Sequence, residues 1–423
     1  VITQNKFIRI ILKAKVKTST SLKSIQSDAE SLLNMITADT VQRKRIKYID
    51  VFNNYKSEKN YLLTLSKIRN TPIDSPNEKE KWMQFQLLRT VQSFIGEYKN
   101  YEDGIKTFES SRQIKVNDML ADGVYKNEEA LRKIAEFSKD TRIVILNENH
   151  WYPNHRILAS KVLKILKSEG YTYLAVEAVN KEKDSVFNKI GYPLRSTGYY
   201  VQEPFFGQFL REAKQLEYTV KGYDEEIIAN REISQAKNIK KILDSNPKAK
   251  ILVYAGVDHV LEDEKNKRMA FYLKKYTGID PLTINQVELV GDSKEDIVLF
   301  PSSMFKEKSN NIKTGTDYLL LNNISRKYED YYESIKEVKV TLKKVNKRQD
   351  KSKPCLVSVY MYDEYKTYKS GSVPIINKIC FPIDDTIKID LPRGNFWIDI
   401  LDSSNQNLFT GNIKNMNMDV KHQ

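Results

Sequence analysis

The chain has 423 residues, of which 40% are hydrophobic and 29% are charged. This balance is typical of globular proteins, and the length predicts two or three domains. No run approaches the ~18 consecutive apolar residues of a membrane-spanning helix, so we expect no transmembrane segment. The net charge of +14 would suit an anionic partner. The lysines are nevertheless spread along the chain without a nucleic-acid-binding motif, so no specific nucleic-acid partner is predicted.

Residues 1–135 are predicted to form a mostly helical N-terminal region. Apolar residues recur at helical spacing within Ser21–Ile36 and again within Glu78–Tyr98. Pro72 and Pro76 bracket a predicted turn between helices. We interpret the apolar stripes of these helices as packing surfaces.

Residues 136–300 alternate between short apolar runs and amphipathic stretches. The predicted strands are Arg142–Leu146, Thr172–Val176, Tyr218–Tyr223 and Lys250–Tyr254. The predicted helices are Arg156–Glu169, Pro204–Leu216, Glu225–Leu243 and Glu262–Tyr276. Strand–helix alternation predicts an α/β fold with a central, mostly parallel sheet and helices on both of its faces.

The C-terminal part of the chain has a different pattern. Residues 301–326 are predicted to be a linker, and residues 327–423 a small β-sandwich with strands at Leu356–Tyr362, Thr386–Asp390 and Phe396–Leu401. The two cysteines, Cys355 and Cys380, both fall in this region. They could form a disulfide in an oxidising compartment or remain two buried thiols.

Each predicted strand of the central region is followed by a chemically versatile side chain. Glu148 and His150 follow the first strand, Glu177 the second, Asp224 the third and His259 the fourth. Ligands of open α/β sheets bind beyond the carboxyl ends of the strands. Buried carboxylates are also costly unless they are paired or liganded. We therefore predict one shared site at this edge of the sheet.

Each of these residues also has a structural interpretation. Glu148 could cap the loop before the next helix, Glu177 could be a structural carboxylate paired with Arg231, and His259 could satisfy a backbone carbonyl. His155 lies just before a predicted helix and could line the cleft. The aromatic segment Gly198–Phe206, which includes Tyr199 and Tyr200, could form a substrate wall or a hydrophobic lid.

Three segments of the central region resemble a known superfamily. Asn147–His155 resembles the first motif of the ChaN-like, haem-binding-uptake branch of the Tiki superfamily, which usually reads Gly-Glu-x-His and then Asn-Pro-x-His. Asn230–Asn238 resembles the arginine-bearing helix of erythromycin esterases, and Ala255–His259 is similar to the closing Gly-x-x-His motif. Asn147 stands where the family has glycine, and asparagine tolerates unusual backbone angles better than most residues. The flanking regions are not covered.

The resemblance implies a hydrolase acting on an ester or amide bond of a small-molecule or peptide substrate. The predicted catalytic residues are Glu148, His150, Glu177, Arg231 and His259. The predicted substrate-binding residues are His155, Tyr199, Tyr200 and Asp224. Two mechanisms fit. In one, a divalent metal such as Zn or Mn is held by His150, Glu177 and His259, and activates water. In the other, His150 is the general base and Arg231 stabilises the oxyanion.

The same resemblance supports non-enzymatic alternatives. Haem binding needs an exposed axial ligand such as histidine or tyrosine beside an apolar face, and Tyr199 and Tyr200 offer aromatic rings near the predicted site. A ChaN-type binder of haem or another small ligand is therefore the alternative to a hydrolase, and a non-catalytic scaffold with a degenerate site is the third. The resemblance favours a bacterial cell-envelope or secreted location, with a cytoplasmic one left open.

Overall fold

The computed structural model describes residues 48–55, 58–71, 78–96, 98–110, 113–115, 123–225, 229–305, 312–342, 354–381 and 386–415. The predicted helix Ser21–Ile36 and the predicted turn at Pro72 and Pro76 lie outside these ranges. None of the helices in these ranges is long and apolar enough to span a bilayer.

The described part of the N-terminal region is helical. Its helices are α1 (Tyr48–Tyr55), α2 (Tyr61–Asn70), α3 (Glu78–Ile95) and α4 (Tyr98–Glu109), followed by the short strand β1 (Gln113–Lys115). The predicted helix at Glu78–Tyr98 is confirmed by α3. Helices α1, α2 and α3 share an apolar core that also includes Leu356 and Tyr199, whereas α4 packs through Tyr101 and Ile105 on Trp151 and Tyr152. The region therefore packs against the rest of the chain.

An eight-stranded sheet forms the centre of the molecule. Its strands are β2 (Tyr125–Lys126), β3 (Ile143–Glu148), β4 (Tyr173–Val176), β5 (Thr219–Gly222), β6 (Ile251–Gly256), β7 (Leu282–Asn285), β9 (Ile297–Pro301) and β10 (Tyr318–Asn322). The order is β2-β9-β10-β7-β3-β6-β4-β5. Neighbouring strands from β5 to β10 are parallel, whereas β9 is antiparallel to both of its neighbours. The remaining strand of this region, β8 (Val290–Asp292), pairs with β1.

Helices cover both faces of this sheet, as the sequence predicts. The helices of the region are α5 (Asn127–Phe137), α6 (Pro153–Ser168), α7 (Asp184–Ile190), α8 (Pro204–Gln215), α9 (Arg231–Ser245) and α10 (Met269–Thr277). Val144 and Leu146 of β3 pack with α5, α6 and α8, whereas Ile143 and Ile145 pack with α9 and α10. Successive side chains of a strand point to opposite faces, so both faces of β3 are buried and the strand reads as one apolar run.

The structure differs from the predicted element boundaries in three places. The helix predicted from Glu225 begins at Arg231, because Asn230 has a left-handed backbone with φ of 67°. The helix predicted from Glu262 begins only at Met269. Strand β10, which lies inside the segment predicted to be a linker, adds to the central sheet. These boundaries depend on long-range contacts that local periodicity does not report.

The described part of the C-terminal region contains two small antiparallel sheets. One pairs β11 (Lys336–Thr341) with β14 (Thr386–Leu391), and the other has the order β13-β12-β15-β16, with β12 at Cys355–Met361, β13 at Ile376–Cys380, β15 at Gly394–Asp402 and β16 at Asn407–Asn415. Two short helices, α11 (Tyr328–Tyr331) and α12 (Tyr362–Tyr368), accompany them. The sheets share one apolar core. Cys355 and Cys380 are paired across β12 and β13 and both are free thiols.

Candidate functional site

The carboxyl ends of β3, β4, β5 and β6 open into one cleft of about 1300 Å³, which we call the site cleft. Eight of the nine predicted site residues lie at it or directly behind it. Its walls include His150, Glu177, Tyr199, Tyr200, Asp224, Arg231 and His259, and Glu148 contacts His150 from below. Because parallel strands end at the same edge, residues far apart in sequence meet here.

The imidazole of His150 is held by two neighbours. Its Nδ1 lies 2.8 Å from Oε1 of Glu148. Its ring stacks on Tyr200, with the ring centroids 4.0 Å apart and the planes 15° from parallel. The hydrogen bond to a carboxylate fixes the orientation of the ring and therefore the position of Nε2. Tyr199 is placed differently, since its ring packs between Phe52 and Phe94 of the N-terminal helices.

Glu148 owes its charge to Arg156, a residue that the sequence analysis missed. The fully buried Arg156 donates to Glu148 through Nε at 2.8 Å, and to the backbone carbonyl of His150 at 2.8 Å. Burial alone would raise the pKa of Glu148, but the charge of Arg156 and the hydrogen bond with His150 lower it to about 2. Glu148 is therefore a carboxylate at neutral pH. The signal in the sequence that could have identified Arg156 is a charged residue on the face of α6 that packs against the sheet.

Glu203 completes this buried network and was also missed. Its Oε2 accepts from Nη1 of Arg156 at 3.1 Å, and its carboxylate caps α8 by accepting from the backbone N–H groups of Phe205 and Phe206. The residue directly precedes Pro204, and an acidic residue before a proline is a recognisable helix start. The network Glu203–Arg156–Glu148 thus links the segment that carries Tyr200 to the carboxylate that orients the ring of His150.

On the opposite wall, Glu177 and Arg231 form an ion pair at 2.7 Å. This is the pairing that the structural interpretation of Glu177 expected. Arg231 also binds both carboxylate oxygens of Asp224, at 2.9 and 2.6 Å. Gln235, one turn further along α9, donates to Asp224 at 2.8 Å. The guanidinium is therefore fixed by two carboxylates and remains about one-third exposed to the cleft.

His259 lies between two carboxylates. Its Nδ1 is 2.8 Å from Glu232 and its Nε2 is 3.5 Å from Glu177. Burial alone would lower the pKa of His259, but hydrogen bonds with Glu177 and Glu232 raise it to about 9. His259 is therefore an imidazolium at neutral pH. Glu232 was not predicted, although it directly follows Arg231 in the arginine-bearing motif.

Gly256, at the end of β6, lets the two walls approach each other. Its backbone N–H donates to Oε2 of Glu177 at 2.5 Å. A Cβ atom at this position would lie 3.0 Å from Oε2 of Glu177 and 3.0 Å from Cε1 of His150. Contacts this short require a neighbour to move. The close approach of His150 and Glu177 therefore depends on a residue without a side chain.

His155 is the predicted site residue that does not line the site cleft. It is buried, and its Nδ1 accepts a hydrogen bond from the backbone N–H of Asn149 at 3.0 Å. It stacks on Tyr152 and faces a separate cavity on the other side of the loop after β3. Burial lowers the pKa of His155 to about 3, so the ring is neutral.

The predicted metal site is not formed. Within the described ranges, no group of three or more histidine, cysteine, aspartate or glutamate side chains is arranged to hold a metal ion. Two of the predicted ligands are already engaged. Both ring nitrogens of His259 already face carboxylates, Nδ1 at 2.8 Å from Glu232 and Nε2 at 3.5 Å from Glu177. The carboxylate of Glu177 is occupied by Arg231 and by the N–H of Gly256.

No protein-family model and no curated protein sequence matches this chain. Solved structures show weak similarity. The type III effector HopBA1 is 12% identical and covers 45% of this chain and 91% of its own, with a TM-score of 0.30. ChaN of Campylobacter jejuni, whose structure shows cofacial haem binding, is 11% identical and covers 45% of this chain and 91% of its own, with a TM-score of 0.30. A bacterial protein toxin is 12% identical over 54% of this chain and 56% of its own, with a TM-score of 0.29. Similarity at this level assigns neither a family nor a function.

Proposed function

We propose that the site cleft binds a small ligand in direct contact with His150, and that haem is the first candidate. One observation carries the proposal: Glu148 holds Nδ1 of His150 while the rest of the ring borders a wide cleft. Histidines that ligate metals commonly donate their other ring N–H to a carboxylate, which fixes the tautomer and makes the free nitrogen more basic. Tyr200, stacked on the same ring, is a second potential axial ligand.

The size of the cleft supports a large ligand such as haem. Its volume of about 1300 Å³ exceeds the ~300–1,000 Å³ of ordinary small-molecule pockets. Its lining carries charges of both signs: Lys181, Lys183 and Arg195 lie alongside Glu182, Asp224 and Glu225, and Lys181 is paired with Glu225. Lysine and arginine side chains pair with carboxylates, and could therefore hold the propionates of haem while His150 or Tyr200 contacts the iron. The predicted envelope or secreted location would suit a protein with this role.

Titration with haem tests this proposal. We expect a Soret band in the wild type, strong loss of that band in His150→Ala, and a shifted band in Tyr200→Phe. Tyr192→Phe is the matched control, because Tyr192 contacts Tyr368 outside the site cleft. Far-ultraviolet circular dichroism of each variant checks that it is folded. A wild type that gives no Soret band, or a band unchanged in His150→Ala, would exclude haem ligation by His150.

Hydrolysis is the second candidate, and the paired Glu148 and His150 favour it. A histidine oriented by a carboxylate can take a proton from water at Nε2 while the water oxygen attacks an ester carbonyl. The negative charge that develops on the carbonyl oxygen would be stabilised by the cationic Arg231 and His259 across the cleft. When the intermediate collapses and the ester C–O bond breaks, His150 would return its proton from Nε2 to the leaving alkoxide, which departs as the alcohol. This is the metal-free mechanism of the sequence analysis.

A panel of ester substrates tests hydrolysis. We expect turnover by the wild type to fall by about 100-fold or more in His150→Ala, as for the loss of a general base. A smaller loss is expected in Glu148→Gln, which keeps the size of the side chain. Tyr192→Phe again provides the control and should keep full turnover. Absence of turnover in the wild type, or equal turnover in His150→Ala, would remove the hydrolase candidate.

A further inference from the structure

A second cavity opens at the same edge of the central sheet, on the other side of the loop Asn149–Tyr152. It has a volume of about 310 Å³ and lies beyond the carboxyl ends of β7 and β10. Its walls come from α4, the start of α6, and the segments that follow β7 and β10. The carboxyl edge is where ligands bind in open α/β sheets, yet none of the functions considered above uses this part of it.

His155 provides a hydrogen-bond donor in the second cavity. Its Nδ1 accepts from the backbone N–H of Asn149, so the neutral ring carries its proton on Nε2. Nothing in the described ranges accepts a hydrogen bond from this Nε2, although His155 is only 3% exposed. This nitrogen is on the wall of the cavity, where a ligand can accept a hydrogen bond from it.

The charged groups of this cavity balance one another. Glu102 and Glu109 are the two carboxylates of its wall, and Lys106 and Arg326 are the two cations. Arg326 is paired with Glu102 at 2.8 Å and lies 3.9 Å from Glu109. Glu109 accepts from the hydroxyl of Tyr152 at 2.5 Å through one oxygen, which leaves its other oxygen as an acceptor. The cavity therefore has no net charge with which to select an ion.

Amide side chains complete the walls. Asn149, Gln286, Asn322 and Asn323 all line the cavity. Gln286 and Asn322 are hydrogen-bonded to each other at 2.9 Å, whereas the side-chain N–H of Asn149 has no acceptor in the described part of the chain. Apolar surface comes from Val287 and Leu289. Donors, acceptors and apolar patches thus alternate around a small space.

We propose that this second cavity binds a neutral polyhydroxylated molecule of about the size of one sugar ring. Each hydroxyl group both donates and accepts a hydrogen bond. Neighbouring hydroxyls can therefore donate to the free oxygen of Glu109 and accept from Nε2 of His155 and from the amide of Asn149. The C–H face of such a ring can pack on Val287 and Leu289. The inference is independent of the function proposed for the site cleft.

Saturation-transfer NMR with a panel of neutral hexoses and N-acetylhexosamines at millimolar concentration tests this inference. We expect transfer to at least one sugar in the wild type. Glu109→Gln should weaken binding by about tenfold, because it removes a charged acceptor. Asn323→Ala, a change at an exposed position on the rim, should weaken binding less. Tyr200→Phe is the matched control in the site cleft and should bind the sugar like the wild type.

Two outcomes would overturn the inference. The first is that no neutral sugar of the panel receives saturation from the wild type. The second is that the sugar occupies a different place, which is the result if Glu109→Gln binds as tightly as the wild type or if Tyr200→Phe abolishes binding. Neither outcome affects the haem and ester tests, which probe His150.

Discussion

At the scale of single residues, the site cleft is set by which groups carry charge. Glu148 and Glu177 keep their carboxylates ionised inside the protein because each has cationic partners, Arg156 for Glu148, and His259 together with Arg231 for Glu177. An unpaired buried carboxylate would become protonated instead. His259 is cationic because it lies between two carboxylates, those of Glu177 and Glu232.

The charge of His259 makes the free energy of unfolding depend on pH. Its pKa is about 9 in the folded protein and about 6.5 when unfolded. Protonation of His259 therefore contributes fully to the free energy of unfolding below about pH 6.5, and this contribution is lost as the pH rises through 9. Comparing urea unfolding of the wild type and His259→Gln from about pH 6 to about pH 10, we expect the advantage of the wild type to shrink by up to about 3 kcal/mol. A pH-independent difference would show that His259 is not protonated in the fold.

At the scale of elements, the ends of strands and the starts of helices place the site. β3 ends at Glu148, β6 ends at Gly256, and α9 begins at Arg231. Asn230 has a left-handed backbone and ends the loop, so α9 begins at the next residue. From the first turn of α9, Arg231 donates to Glu177 and Glu232 contacts His259. A helix that began earlier, as the periodicity alone predicts, would orient these two side chains differently.

Gly256→Ala tests the close approach at the end of β6. The added methyl group should push His150 away from Glu177, because it would lie 3.0 Å from both side chains. We expect the Hε1 NMR resonance of His150 to shift and the free energy of unfolding to fall by about 1–3 kcal/mol, as for overpacking. Gly371→Ala is the control, since a Cβ atom there meets nothing within 4 Å. An unchanged His150 resonance in Gly256→Ala would contradict this account.

At the scale of the whole molecule, the N-terminal and C-terminal regions pack directly against the central region. Tyr199, next to the residue that stacks on His150, packs against α1 and α3 of the N-terminal region. Arg211 of α8 forms a buried two-point ion pair with Glu364 of α12, at 2.8 and 2.6 Å, and also donates to the carbonyl of Val373. The division of the chain at residues 135, 300 and 326 remains a prediction, but these contacts cross it.

Glu364→Gln tests how strongly the C-terminal region is tied to the centre. The change leaves the charge of Arg211 buried without its counter-ion, so we expect the free energy of unfolding to fall by about 3–5 kcal/mol in urea titrations. Asp244→Asn provides the control, because Asp244 pairs with Lys240 on the exposed surface of α9, where such a pair contributes about 0.3–0.5 kcal/mol. Equal effects of the two changes would mean that the Arg211–Glu364 pair does not stabilise the fold.

The sequence by itself determined the class of the fold and the edge that carries the site. Apolar strand runs alternating with amphipathic helices require a parallel sheet covered on both faces, and parallel strands bring Glu148, Glu177, Asp224 and His259 to one edge. Only the tertiary structure decided which groups are charged, since Arg156, Glu203 and Glu232 reach their partners through folding and not through sequence spacing. It also separated His155 from His150, because the loop between them turns one histidine to each side. It also showed that His259 and Glu177, two of the predicted metal ligands, form ion pairs instead, and that no metal-binding group is present in the described ranges. These pairs depend on distances in space, which the spacing of residues along the chain does not give.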